Sequence, residues 1–123
     1  MTLPELTALA ESTVAATQRK LPAMLQPLAR TLPVVYHDWP SDEILGEEFE
    51  PDILGMFAGT PYDAAGHESN EFPPHILLFL ENIWDYAEGD RATFVREVKL
   101  TYLHELGHYL GWDEDEIAAR GLE

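Results

Sequence analysis

The sequence contains no cysteine among its 123 residues. Disulfides, thiolate zinc sites and cysteine nucleophiles are thereby excluded, and any metal site has to be assembled from histidine, aspartate and glutamate. Basic residues are scarce as well: seven Lys and Arg stand against 23 Asp and Glu, for a formal net charge of −16. Such a chain repels phosphate backbones and anionic headgroups, so neither a nucleic acid nor an acidic membrane is an expected partner. Long apolar runs are missing too. The longest, Ile76 to Leu80, falls far short of the ~20 residues of a membrane-spanning helix. The start, Met1-Thr2-Leu3-Pro4-Glu5, has neither the basic nor the apolar stretch of a secretory signal. A cytoplasmic protein without a transmembrane segment is the expectation.

What charge there is lies unevenly. Residues 1–35 are close to neutral, whereas residues 36–90 carry fourteen acidic side chains and no Lys or Arg at all. A solvated acidic face accounts for this block, and the same face attracts metal ions, cationic ligands or basic peptide segments. With 46% hydrophobic residues, a chain of this size suffices for one compact domain over 1–123, burying roughly two thirds of its unfolded surface.

Thr2-x-x-Glu5 forms a capping-box pattern, and Leu6, Leu9, Ala10, Val14 and Leu21 recur at helical spacing. An amphipathic helix is expected from Leu3 into the low twenties, its end blurred by Pro22 and Pro27. Leu32-Pro33-Val34-Val35-Tyr36 suits a first strand, closed by Asp38-Trp39-Pro40, after which Ser41 caps a short turn through Leu45. Residues 52–59 read as a second strand whose two glycines mark a bulge or a close backbone approach. Residues 60–72 are polar and turn-rich, a loop. His75 to Leu80 is a continuous apolar run of strand length, and 81–89 is a connection with room for a helical turn.

The clearest helix runs from Asp90, as N-cap, to Leu110. Val95, Val98, Tyr102, Leu106, Tyr109 and Leu110 trace its apolar stripe, with Glu97, Thr101, His104 and His108 along a neighbouring polar face. Gly111 ends it as a left-handed residue. Asp113-x-x-Glu116 caps a short terminal helix through Arg120.

His104-Glu105-Leu106-Gly107-His108 is an HExxH sequence on that helix. Residues i and i+4 lie about 40° apart around the axis, so both imidazoles project from one face and can grip a single ion. Glu105 sits beside them, within reach of a metal-bound water, and neutral imidazoles with a carboxylate suit Zn2+. The run continues through Gly111 to Glu114 and resembles the longer HExxHxxGxxH arrangement of metzincins, with Glu in place of the last His. Glu114 is therefore the expected third ligand. Asp113 and Asp115 are the alternatives, Asp113 competing as an N-cap and Asp115 as a solvent-facing charge near a helix N-terminus.

Most of the chain also resembles the short bacterial zincin-like proteins known as minimal metallopeptidases, formerly a domain of unknown function. The resemblance covers Val34 to Ser41, Ile53 to Pro61, Pro74 to Phe79 and Val98 to Ile117, in that order. It implies an α+β fold: a single small zincin-like domain with a few-stranded mixed sheet packed against the N-terminal helix and the HExxH helix. It also implies zinc-dependent peptidase activity, with His104 and His108 as zinc ligands, Glu105 as catalytic base, and a third ligand from 113–115. A Met-turn is not expected, since only nine residues follow Glu114.

The expected reaction is peptide-bond hydrolysis by metal-activated water, with one Zn2+ per chain and a peptide or protein substrate of basic character. Nothing in the sequence marks an oxyanion stabiliser. Tyr109, His75 and Tyr62 are within the fold's gift, and each has a plainer role, in the core, at a strand start and on a loop respectively. The competing expectation is a noncatalytic zincin-shaped module that binds a partner through its acidic surface.

Overall fold

The structure, a computed structural model, describes residues 1–46, 49–59, 73–112, 115 and 119. Helix α1 (Leu3–Arg19) starts where the capping box places it: the Glu5 amide donates to Thr2 Oγ1 at 3.3 Å, and the Thr2 amide donates to Glu5 Oε1 at 3.1 Å. It buries Leu6, Ala10, Thr13, Val14 and Thr17, a stripe at three- and four-residue steps. The two threonine hydroxyls donate to the carbonyls of Leu9 and Thr13, each at 2.8 Å, so their burial leaves no donor unmet. The helix stops at Arg19 rather than in the low twenties. Pro22 restricts the residue before it and cannot accept the helical pattern, so the turn ends early. A second helix, α2 (Gln26–Thr31), follows, which the sequence reading does not include. Pro27 stands in the first turn, where its missing N–H costs nothing.

Strand β1 (Val34–His37) leads to α3 (Asp42–Leu45), capped by Ser41, whose hydroxyl accepts from the Ile44 amide at 3.2 Å. Strands β2 (Gly55–Ala58) and β3 (His75–Phe79) complete a sheet of order β1-β3-β2. β1 runs parallel to β3, with Val34 opposite Ile76, and β2 runs antiparallel to it, with Gly55 opposite Leu78. The sheet is mixed, β3 is its buried centre, and β2 forms one edge. Leu80, expected as the last strand residue, instead opens α4 (Leu80–Tyr86), a two-turn helix where a connection with room for a helical turn was expected. Its N-cap position is Phe79, with no capping side chain. Burial of Leu80 and Ile83, not a local signal, holds it.

Helix α5 (Arg91–Tyr109) packs against β2 and β3 on one side, and against α1 and α4 on the other. Ile76 and Leu78 face it and join Leu6, Phe94, Val98, Tyr102 and Leu106 in one core, each fully or almost fully buried. The fold is thus α+β, five helices and a three-stranded mixed sheet among the described residues. No helix among them is long and apolar enough to cross a membrane. The expected 60–72 loop and the capping pair Asp113 and Glu116 of the terminal helix lie outside the described residues; Asp115 and Ala119 are helical and exposed.

Tyr102 ties α1 to α5, its hydroxyl accepting from Gln18 Nε2 at 3.1 Å. Burial pushes its phenol upward. Burial likewise pushes half-buried Tyr36 from 10.0 up to about 12, with smaller contributions from the Glu11 carboxylate and from Tyr102. The folded chain therefore holds these protons where the unfolded chain releases them. Their stabilisation is complete below pH ~10, the ordinary phenol value, and is lost as the pH rises toward the folded value. Denaturant unfolding followed from pH 9 upward should show stability declining above pH ~10, and declining less in Tyr36→Phe than in the parent. Identical pH profiles for the two proteins would contradict this assignment.

Candidate metal centre

The helix that carries the motif is fixed at both ends. At its start the Asp90 carboxylate accepts from the Thr93 amide at 2.9 Å and from the Thr93 hydroxyl at 2.6 Å, bonds that hold its carboxyl below the usual range. At its end Trp112 N–H donates to the Gly107 carbonyl and Gly111 N–H to that of His108, both at 3.0 Å, with Gly111 at φ +81. This pair of bonds is a Schellman closure, in which a left-handed residue lets the chain turn back on the helix. Trp112 then packs, half-buried, on the core. The expected terminator is therefore the observed one.

Between these ends α5 is buried over more of its surface than the expected stripe. Phe94 and Leu103 are buried, whereas Val95 and Leu110 are only half-buried. What is left partly open is a strip containing Glu97, Thr101, His104, Glu105 and His108. On it the Nε2 atoms of His104 and His108 approach to 3.0 Å, with the ring planes at 85°. Ligand atoms of His104, Glu105 and His108 all lie within 4.8 Å of one another. Two Zn–N bonds of about 2.0–2.1 Å at a tetrahedral angle set their nitrogens roughly 3.3 Å apart. The observed pair needs only a few tenths of an ångström to reach that spacing. The donor set, two imidazoles and a carboxylate without a thiolate, fits zinc.

Two clefts of about 350 Å3 each meet at this strip. One is lined by Leu54, Leu100, Thr101 and His104, the other by Phe49, Met56, Phe57 and His108; Ile53, Gly55 and Glu105 belong to both. Glu105 thus stands at the divide of a groove that follows edge strand β2. The far wall is pinned by Asn82 of α4, whose Nδ2 donates to the carbonyls of Pro51 at 2.8 Å and Ile53 at 2.9 Å. Sequence reasoning passed over these wall residues. The signal for one of them was present, since a strand glycine marks close approach, and Gly55 is that contact. A Cβ there would lie 2.7 Å from Thr101 Cγ2 and 2.9 Å from the Leu77 carbonyl oxygen. The absent side chain lets β2 lie directly against the turn of α5 that precedes His104. For Asn82 and Phe49 there was no local signal, because their roles arise from distant segments meeting.

The other expected residues fall as follows. Asp113 and Glu114 lie outside the described residues, and so does Tyr62. Asp115 is exposed and is not in the His104, Glu105, His108 group. Tyr109 is buried, its ring 5.6 Å from that of Phe57, and it lines neither cleft. His75 is drawn away from the centre: its Nδ1 donates to the Pro73 carbonyl at 2.9 Å, and it borders a separate cavity with Glu43, Met56 and Leu77.

A family model described as zincin-like metallopeptidase matches residues 29–122, from α2 through the motif helix and beyond it. No curated protein matches the sequence.

Gly55→Ala should force β2 away from α5. An overpacking cost of about 1–3 kcal/mol is expected in denaturant unfolding. Adding Thr101→Ser removes the methyl nearest the new Cβ and should recover part of that loss. A Gly55→Ala protein as stable as the parent would show that the contact does not constrain the strand.

Proposed function

The chain belongs to the zincin-like metallopeptidase family, and on that footing we propose that it hydrolyses peptide bonds with one zinc ion held by His104 and His108 and with Glu105 as general base. The observation that carries the proposal is the convergence of these three side chains at the divide of a groove along β2. A third protein donor is assigned to the tail, Glu114 first, with Asp113 and Asp115 as alternatives. When bound, zinc lowers the pKa of a coordinated water toward neutrality and polarises the scissile carbonyl.

The chain's own residues supply the remainder. An extended peptide adds to the outer edge of β2 through main-chain hydrogen bonds. The apolar walls, Leu54 and Leu100 on one side and Phe49 and Phe57 on the other, accept apolar side chains flanking the scissile bond. Glu105 takes a proton from the attacking water and delivers it to the departing amine. The acidic 36–90 segment favours the approach of chains with basic residues, an attraction that salt weakens.

Two substitutions separate the roles. Metal-free protein titrated with zinc should bind one ion per chain. His104→Ala should abolish that binding, whereas Glu105→Gln should keep the ion. Digestion of a mixed peptide library, read by mass spectrometry, should slow by about 10²–10⁴-fold in Glu105→Gln. Undiminished cleavage by that variant removes Glu105 from the mechanism. A wild-type chain that binds zinc but cleaves nothing supports the noncatalytic module.

A further inference from the structure

The chain has only two lysines, Lys20 and Lys99. Both line one cavity of about 500 Å3 between the C-terminal half of α1 and the N-terminal half of α5. Its lining is mostly apolar, with Leu9, Leu21, Val95 and Leu103 beside Ser12, Thr13 and Thr17, and among the described residues no aspartate or glutamate lines it. In a chain with 23 carboxylate side chains, a concave surface lined by both lysines and, among the described residues, by no carboxylate is a local reversal of charge. Among the described residues neither lysine has a carboxylate within 4.0 Å, the ion pair found there being Arg96 with Glu97.

This cavity is separate from the metal centre. At 100° per residue, Lys99 lies about 140° around α5 from His104 and about 180° from His108, so the two sites occupy opposite sides of the helix. Its other wall, α1, precedes the segment 29–122 that matches the family. One wall of the cavity is therefore a helix outside the matched segment.

We propose that this cavity binds a single-chain amphipathic carboxylate, its hydrocarbon tail on the Leu9, Leu21, Val95 and Leu103 floor and its head group between Lys20 and Lys99. An apolar floor does not suit a nucleotide or free phosphate, whose hydration it would strip without return. A folded protein partner fits less well, since eleven residues line the cavity, against the roughly 20–30 per side of a stable protein interface. The overall negative charge repels anions at long range, so the two lysines have to act locally, and binding should be sensitive to their charge.

Isothermal titration with octanoate, decanoate and dodecanoate, each below its micellar concentration, tests this directly. One molecule per chain should bind, with affinity rising roughly fourfold per added methylene while the floor is still being covered. The Lys20→Glu/Lys99→Glu protein should bind at least about tenfold more weakly. Both positions are exposed, and the milder Lys20→Gln/Lys99→Gln protein, checked for an unchanged circular dichroism spectrum, guards against a folding defect. His104→Ala should leave carboxylate binding intact, which separates this outcome from the fate of the peptidase proposal. Absence of saturable binding, equal binding by the charge-reversed protein, or equal binding of dodecyltrimethylammonium would each overturn the proposal.

Discussion

Helix α5 is wedged between α1 and α4 on one side and β2 and β3 on the other, and its rotation about its own axis is the constraint on which the rest depends. A helix with apolar neighbours on two sides must be apolar over most of its circumference, and it can leave only a narrow polar strip. His104, Glu105 and His108 lie on that strip. Turning the helix by one residue, about 100°, would carry the imidazoles into the core and bring Leu106 or Tyr109 out of it. Burying Phe94, Val98, Tyr102 and Leu106, at about 1.5–3 kcal/mol for each large apolar side chain, opposes that rotation far more strongly than any interaction at the site itself. The same packing that folds the protein therefore orients the candidate ligands. Terminal capping by Asp90 and the Gly111 closure prevents fraying from loosening the last turn, which contains His108.

Helix orientation alone makes a pair of ligands, not a cleft. The cleft comes from β2, and its distance from α5 is set by the missing side chain at Gly55. The strand approaches one turn before His104, close enough to wall the strip. Asn82 contributes from the other direction, fastening the carbonyls of Pro51 and Ile53 so that the chain entering β2 keeps a defined path. The groove thus depends on three elements that are far apart in sequence, with β3 pairing to β2 and leading directly into α4.

This separation explains what could and could not be read from the residues in order. Local rules found α1, α3 and α5 with their caps, because Thr2, Ser41, Asp90 and Gly111 act on neighbours within four residues. The continuous apolar run found β3. The HExxH spacing found the two imidazoles, since helical periodicity alone brings them together. Helix α4 escaped because it has no capping side chain and is held by the burial of Leu80 and Ile83 against partners elsewhere. Helix α2 escaped because it has no capping side chain and Pro27, permissive in its first turn, reads in sequence only as blurring the end of α1. Phe94 and Leu103 were missed for a related reason: a single stripe was assigned to a helix that is buried on two sides. The groove walls were illegible because no spacing rule connects Phe49, Asn82 and Glu105.

Charge follows the same division of the molecule. Apart from Arg120, every lysine and arginine belongs to α1, α2, α5 or the residue that caps α1, whereas the segment that supplies the sheet and the far wall of the groove contains acidic charges only. A cation approaching the protein thus meets the attractive field of that segment. That field falls off over roughly 8–10 Å at moderate salt, and it does not distinguish one divalent ion from another. Selection has to come at contact, where two imidazole nitrogens 3.0 Å apart suit a metal with affinity for imidazole better than the hard, oxygen-seeking ions that an acidic surface gathers. In the function proposed above, the acidic segment gathers cations and the geometry of α5 selects among them.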